Sequence, residues 1–80
     1  MPTLTASFVR EEYSACGPQG WVVLLEPNGD EFECRCLARP EGKVEIYGDS
    51  HTIAYLESRY GRAAVALTAQ KAVLDHFRGE

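Results

Sequence analysis

No stretch of this chain is apolar for long. The longest such runs, Trp21 to Leu25 and Ala63 to Leu67, fall far short of the roughly 20 residues that a membrane-spanning helix requires. The opening residues MPTLTASFVREE lack the basic segment followed by an apolar one that marks a secretory signal. Basic residues are also scarce, eight against twelve acidic ones for a net charge of −4. Arg10, Arg35, Arg39, Arg59, Arg62 and Arg78 are scattered and form no stripe, which disfavours attraction to a phosphate backbone. A partner with a basic surface suits the charge better. The three cysteines cannot all pair within one chain, so a cytoplasmic location is expected. Gly17, Gly20 and Gly29 match no phosphate-binding loop. Repeats, low-complexity segments and linkers are missing as well, so residues 1–80 are read as one domain.

What is present is a globular balance, 45% hydrophobic and 25% charged, in a chain of 80 residues with room for one thin core and little volume for a ligand cleft. Strand-like patterns run as far as Tyr47 and helical ones follow. This order predicts an α+β fold, a four-stranded, mainly antiparallel sheet with two C-terminal helices packed on one face. Strands are expected over about residues 4–12, 21–26, 31–39 and 43–47, and helices over about 50–60 and 62–78. In the first strand Leu4, Ala6 and Phe8 share one side. Asp49 or Ser50 can cap the first helix, whose Ile53, Leu56 and Tyr60 share a face, and Gly61 can end it. The last helix is expected to bury Ala63, Ala66, Leu67, Gln70, Val73, Leu74 and Phe77.

Two turns set the register. Asn28-Gly29 read as a two-residue hairpin loop puts Leu25 opposite Phe32, Val23 opposite Cys34 and Trp21 opposite Cys36. Pro40-Glu41-Gly42 read as a three-residue loop pairs Ala38 with Val44 and Cys36 with Ile46. Together they send Trp21, Val23, Leu25, Phe32, Cys34 and Cys36 towards the core. The opposite face is left with an apolar centre of Val22, Leu24, Leu37 and Tyr47, rimmed by Glu26, Glu31, Glu33, Arg35, Arg39 and Glu45. An apolar centre with a charged margin has the make-up of an interface. The expected partner-binding residues are therefore Val22, Leu24, Glu31, Glu33, Arg35, Leu37, Glu45 and Tyr47.

Cys34 and Cys36, two apart on a strand and facing inward, read as small buried hydrophobes. Two alternatives remain. A zinc site would have to recruit Cys16, His51 or His76, and a disulfide from Cys16 would need an oxidising compartment. Cys16, in a Gly-Pro loop, reads as exposed. His51 falls in the first turn of a helix and His76 beside a buried stripe; neither has a nucleophile and an orienting partner at a recognisable spacing. The carboxylate pairs Glu11-Glu12, Asp30-Glu31 and Glu31 with Glu33 read as solvated surface. No catalytic residue, metal or cofactor is expected.

The order of strands, Asn28-Gly29 turn, Asp49-Ser50 helix start, Leu56-Glu57-Ser58 and Tyr60-Gly61 break resembles a family of small type I-F anti-CRISPR proteins encoded by phages. That resemblance implies a non-enzymatic inhibitor, at work in the host cytoplasm, that binds a CRISPR effector. The family's contact residues, a tyrosine before the Asn-Gly turn and a glutamate in the next strand, fall at Leu25 and Leu37 here, so those contacts do not carry over. Arg62 to Phe77 after Gly48-Asp49-Ser50 is also similar to HicB-type antitoxins, which neutralise an RNA-cleaving toxin. The strand that follows this helix in those proteins has no counterpart before Glu80. A double-stranded RNA-binding domain shares the alanine-rich last helix, but its lysines would be represented by Arg62 alone. The expected role is an inhibitor docking on a nucleic-acid-handling complex, with an antitoxin or generic adaptor as the alternative.

Overall fold

A computed structural model describes residues 3–39 and 41–79. It contains β1 (Thr5–Glu11), β2 (Gln19–Leu25), β3 (Glu31–Ala38), β4 (Val44–Tyr47), α1 (Ser50–Tyr60) and α2 (Arg62–Phe77). The strands form one antiparallel sheet in the order β1-β2-β3-β4, and the helices follow all four strands. This is the expected α+β architecture. The core lies between the sheet and the helices, where Leu4, Val22, Leu24, Cys34 and Cys36 meet Leu56, Val65, Ala69 and Val73.

The second hairpin has the expected register, Ala38 opposite Val44 and Cys36 opposite Ile46. Its turn is closed by the Gly42 amide donating to the Arg39 carbonyl at 3.1 Å, with Gly42 at φ 82°. Pro40, expected in this loop, lies outside the described residues.

The first hairpin is one residue out from expectation. Leu25 stands opposite Glu31, Leu24 opposite Phe32 and Val22 opposite Cys34. The reason lies in the turn. Proline's fixed φ near −65° suits Pro27 to the first corner of a type I turn, whereas the two-residue loop would need positive φ at Asn28. Among the described residues only glycines have positive φ, Gly29 at 99°. The Gly29 amide donates to the Glu26 carbonyl at 2.9 Å, the Glu26 amide to the Asp30 carbonyl at 2.9 Å, and the Asp30 amide to Asn28 Oδ1 at 2.9 Å. The loop is thus residues 27–29, the same type as in the second hairpin. One residue of slip turns β2 over. Val22 and Leu24 are 0% and 1% exposed under the helices, and Trp21, Val23 and Leu25 face the other way.

Turning β2 also carries Glu26 inward, to 2% exposure. Its Oε1 accepts hydrogen bonds from the Tyr55 hydroxyl at 2.9 Å and the Tyr60 hydroxyl at 2.8 Å, with Arg59 Nε at 3.5 Å. A buried carboxylate is tolerated only with such partners.

The α1 cap is Asp49, whose Oδ2 accepts from the Thr52 amide at 2.9 Å and the Thr52 hydroxyl at 3.0 Å. Those donors, the amide foremost, hold its pKa below the usual value. Gly61 breaks the two helices at φ 93°. The α2 stripe meets the expectation at Val73, with Ala66, Gln70 and Leu74 half-buried, and departs from it elsewhere. Val65, Ala69 and Val73 are fully buried, Ala63 is exposed, and Leu67 and Phe77 are 61% and 44% exposed. These small residues at i, i+4 and i+8 form a ridge that lets α2 lie close across all four strands. A bulkier stripe would hold it off.

Candidate binding face

The helices cover one face of the sheet and leave the other open. Strand alternation places Thr5, Ser7, Gln19, Trp21, Val23, Leu25, Glu31, Glu33, Arg35, Leu37, Glu45 and Tyr47 on that open face. In β1 the register shifts between Phe8 and Arg10, and the extra residue Val9 brings Arg10 opposite Trp21. The shift completes a row across all four strands, Arg10 of β1 beside Trp21 of β2, Arg35 of β3 and Tyr47 of β4. Cations and rings alternate along it. The Arg10 guanidinium lies 4.7 Å from the Trp21 ring centroid, and Arg35 lies 5.8 Å from Trp21 and 4.8 Å from Tyr47. These separations are within range of cation–π attraction.

Carboxylates pin the row. Glu33 Oε2 is 3.8 Å from Arg10 Nη1, and Glu12 Oε1 accepts from Trp21 Nε1 at 3.0 Å. Glu45 accepts from both the Tyr47 hydroxyl and Arg39 Nε. Those two bonds, Tyr47 first, pull the Glu45 pKa down, and the same contact pushes the Tyr47 hydroxyl up. The result is an amphipathic strip with an acidic margin.

Of the residues expected to bind, Arg35, Glu31, Glu33, Glu45 and Tyr47 do lie on this face. Leu37 shares it but is only 5% exposed, beside Gln19 at 8%. Val22 and Leu24 belong to the core instead, and Glu26 is not part of the rim. Missed in the sequence were Arg10 and Trp21. The signal for Trp21 was the Pro-x-Gly pattern shared by Pro27-Asn28-Gly29 and Pro40-Glu41-Gly42, which asks for the same three-residue loop twice. For Arg10 it was the breakdown of alternation after Phe8.

Cys34 and Cys36 are buried and Cys16 is exposed; all three are free thiols. Burial foremost pushes Cys34 up to about 11 and Cys36 to about 12, which leaves both neutral and inert near neutral pH. His51 is exposed in the first turn of α1. His76 stacks on Phe8 with ring centroids 3.9 Å apart, and its Nε2 is 2.8 Å from Glu11 Oε2. Among the described residues no three His, Cys, Asp or Glu side chains converge to hold a metal, and no helix is long and apolar enough to cross a membrane. No protein-family model, curated protein or solved structure gives a significant match to the chain.

Proposed function

We propose that this chain is a non-catalytic, cytoplasmic inhibitor that docks on a protein partner through the open sheet face. The observation that carries this reading is the Arg10–Trp21–Arg35–Tyr47 row. Trp, Tyr and Arg are enriched among the residues that dominate the binding energy of protein interfaces, the two aromatics because they bury much area while losing little side-chain freedom. Here hydrogen bonds from Trp21 to Glu12 and from Tyr47 to Glu45 orient the two rings before any partner arrives, which lowers the entropic cost of docking. Glu33 and Glu45 border the row and Glu31 lies beyond Glu33, in a chain of net charge −4. This favours a partner with a basic surface, and the channel by which a CRISPR effector holds nucleic acid has that character. The acidic face would then compete with nucleic acid for the channel.

Capture from a host lysate with tagged chain tests the proposal, with a Trp21→Ala variant run alongside. Recovery of CRISPR effector subunits by the wild type is expected. Loss of a central Trp that costs about 2 kcal/mol or more should weaken that binding about 30-fold, with unchanged circular dichroism. Recovery of a small ribonuclease would point to the antitoxin reading. Retention of the same partner at equal strength by Trp21→Ala removes the open face from consideration.

A further inference from the structure

Of the two arginines in the aromatic row, Arg10 has a counter-ion, Glu33 at 3.8 Å, and Arg35 has none. Strand pairing sets Arg35 directly between two rings, Trp21 on the β2 side and Tyr47 on the β4 side. Its guanidinium carbon lies 5.8 Å from the first ring centroid and 4.8 Å from the second. The carboxylates that flank it on this face are engaged elsewhere, Glu33 with Arg10 and Glu45 with Arg39 and the Tyr47 hydroxyl. Among the described residues the Arg35 side chain makes no ion pair and no hydrogen bond. Its Nε is buried without an acceptor, which leaves Nη1 and Nη2 as its accessible donors. A buried donor of this kind is uncommon in a native protein.

We propose, on the reading of the open face as an interface, that Arg35 anchors one aspartate or glutamate side chain of the partner protein. A guanidinium is a planar fork of N–H donors that matches a carboxylate through two parallel hydrogen bonds. Rings on either side displace water from the faces of that fork, and an ion pair in such partly dry surroundings is stronger than one in bulk water. The neighbourhood favours an isolated carboxylate over a nucleic-acid backbone. A nucleic-acid strand carries a negative charge about every 3.4 Å of its axis. Two residues from Arg35 along β3, about 7 Å away, stand Glu33 on one side and Leu37 on the other, so a second phosphate finds no free cation there. The row also runs past Arg35 in both directions, to Arg10 and to Tyr47. A partner that covers it continues beyond the fork, which suits an internal side chain better than a chain end. An acidic side chain set within a basic surface complements both this centre and its acidic margin.

The probe is an acetylated and amidated pentapeptide, lysine–lysine–aspartate–lysine–lysine, with an asparagine version as its counterpart. NMR of the full chain follows the Arg35 Nε–H and Trp21 Nε1–H groups during titration. The aspartate peptide is expected to shift both with a Kd on the order of 1 mM. The asparagine peptide should bind at least about tenfold more weakly, because an amide offers one acceptor oxygen and no charge. Arg35→Lys keeps the charge without the fork and should weaken the aspartate peptide about fivefold or more; Arg35→Gln should abolish its binding, with circular dichroism unchanged in both. Absence of shifts up to about 10 mM peptide, equal affinity for the two peptides, or full affinity in Arg35→Lys overturns the assignment. Tighter binding of a short oligothymidylate at the same two groups would make the fork a phosphate site instead. Capture of the partner from lysate separates the anchor from the face. Both Arg35 variants are expected to weaken capture. Loss with Trp21→Ala but full retention with Arg35→Gln refutes the anchor and keeps the face, whereas retention with Trp21→Ala removes the two together.

Discussion

Glu26 gives the sharpest test of how this small core is held. Its carboxylate is 2% exposed and receives two tyrosine hydroxyls on one oxygen, while Oε2 is buried with no hydrogen-bond partner among the described residues. Removal of both donors, in Tyr55→Phe with Tyr60→Phe, strands a buried charge beside Arg59, whose side chain is 56% exposed. Loss of two hydrogen bonds to a charged group, at about 1.5–3 kcal/mol each, costs about 3–6 kcal/mol. An 80-residue chain has about 4–12 kcal/mol in total, so the doubly substituted protein should sit near the edge of folding. At about 4–8 °C per kcal/mol the melting temperature falls by at least about 12 °C. Addition of Glu26→Leu to the same background removes the stranded charge and fills its space with methyl groups, so the triple variant should be more stable than the double one. Urea titration followed by far-ultraviolet circular dichroism at neutral pH reads the wild type and both variants. A triple variant no more stable than the double one would show that the hydroxyls matter for packing alone, and the electrostatic account of Glu26 would fail.

Gly20→Ala should destabilise by about 1–3 kcal/mol through overpacking, because an added Cβ would come within 2.3 Å of the Phe8 ring and 3.0 Å of the Arg10 carbonyl; thermal melting checks it, and an unchanged midpoint refutes it. A chromogenic disulfide reagent at neutral pH should titrate Cys16 alone in the native chain, and Cys34 and Cys36 only after denaturant. Stability should also fall on the alkaline side. The Tyr55 pKa is raised mainly by its bond to Glu26 and the Tyr60 pKa mainly by burial. A raised folded pKa means stability fully present below the unfolded value, about pH 10 for tyrosine, and lost as pH climbs through the folded one. Urea midpoints taken across that range should drop more steeply in the wild type than in the Tyr55→Phe/Tyr60→Phe chain.

Element type and chain order were legible because hydrophobic period, the Asp49 cap and the Gly61 break all act locally. So was the β3–β4 register, where a three-residue loop ending in glycine leaves little choice. The face of β2 was not. Asn28-Gly29 is the stronger turn signal taken alone, and only the constraint on φ at Pro27 outweighs it. Burial of Glu26 also looks unfavourable until Tyr55 and Tyr60, some thirty residues away in α1, are brought beside it. The α2 stripe misled for a related reason. Leu67 and Phe77 have more apolar area to bury than Ala69, but the space between helix and sheet admits the smaller side chain. The binding row depends on three strand registers and one bulge at once, so no local pattern announces it.

Val9 has a consequence out of proportion to its size. Were β1 to keep strict alternation, Val9 would fall beside Trp21, and Arg10 would turn under the sheet towards the place where Glu11 now meets His76. A single spacer residue thus decides whether the outermost strand offers the indole a methyl or a guanidinium. Deletion of Val9 would leave Arg10 opposite Trp21 in a strand of unbroken alternation, whereas closing the bulge with Val9 in place would bury the cation and expose Glu11.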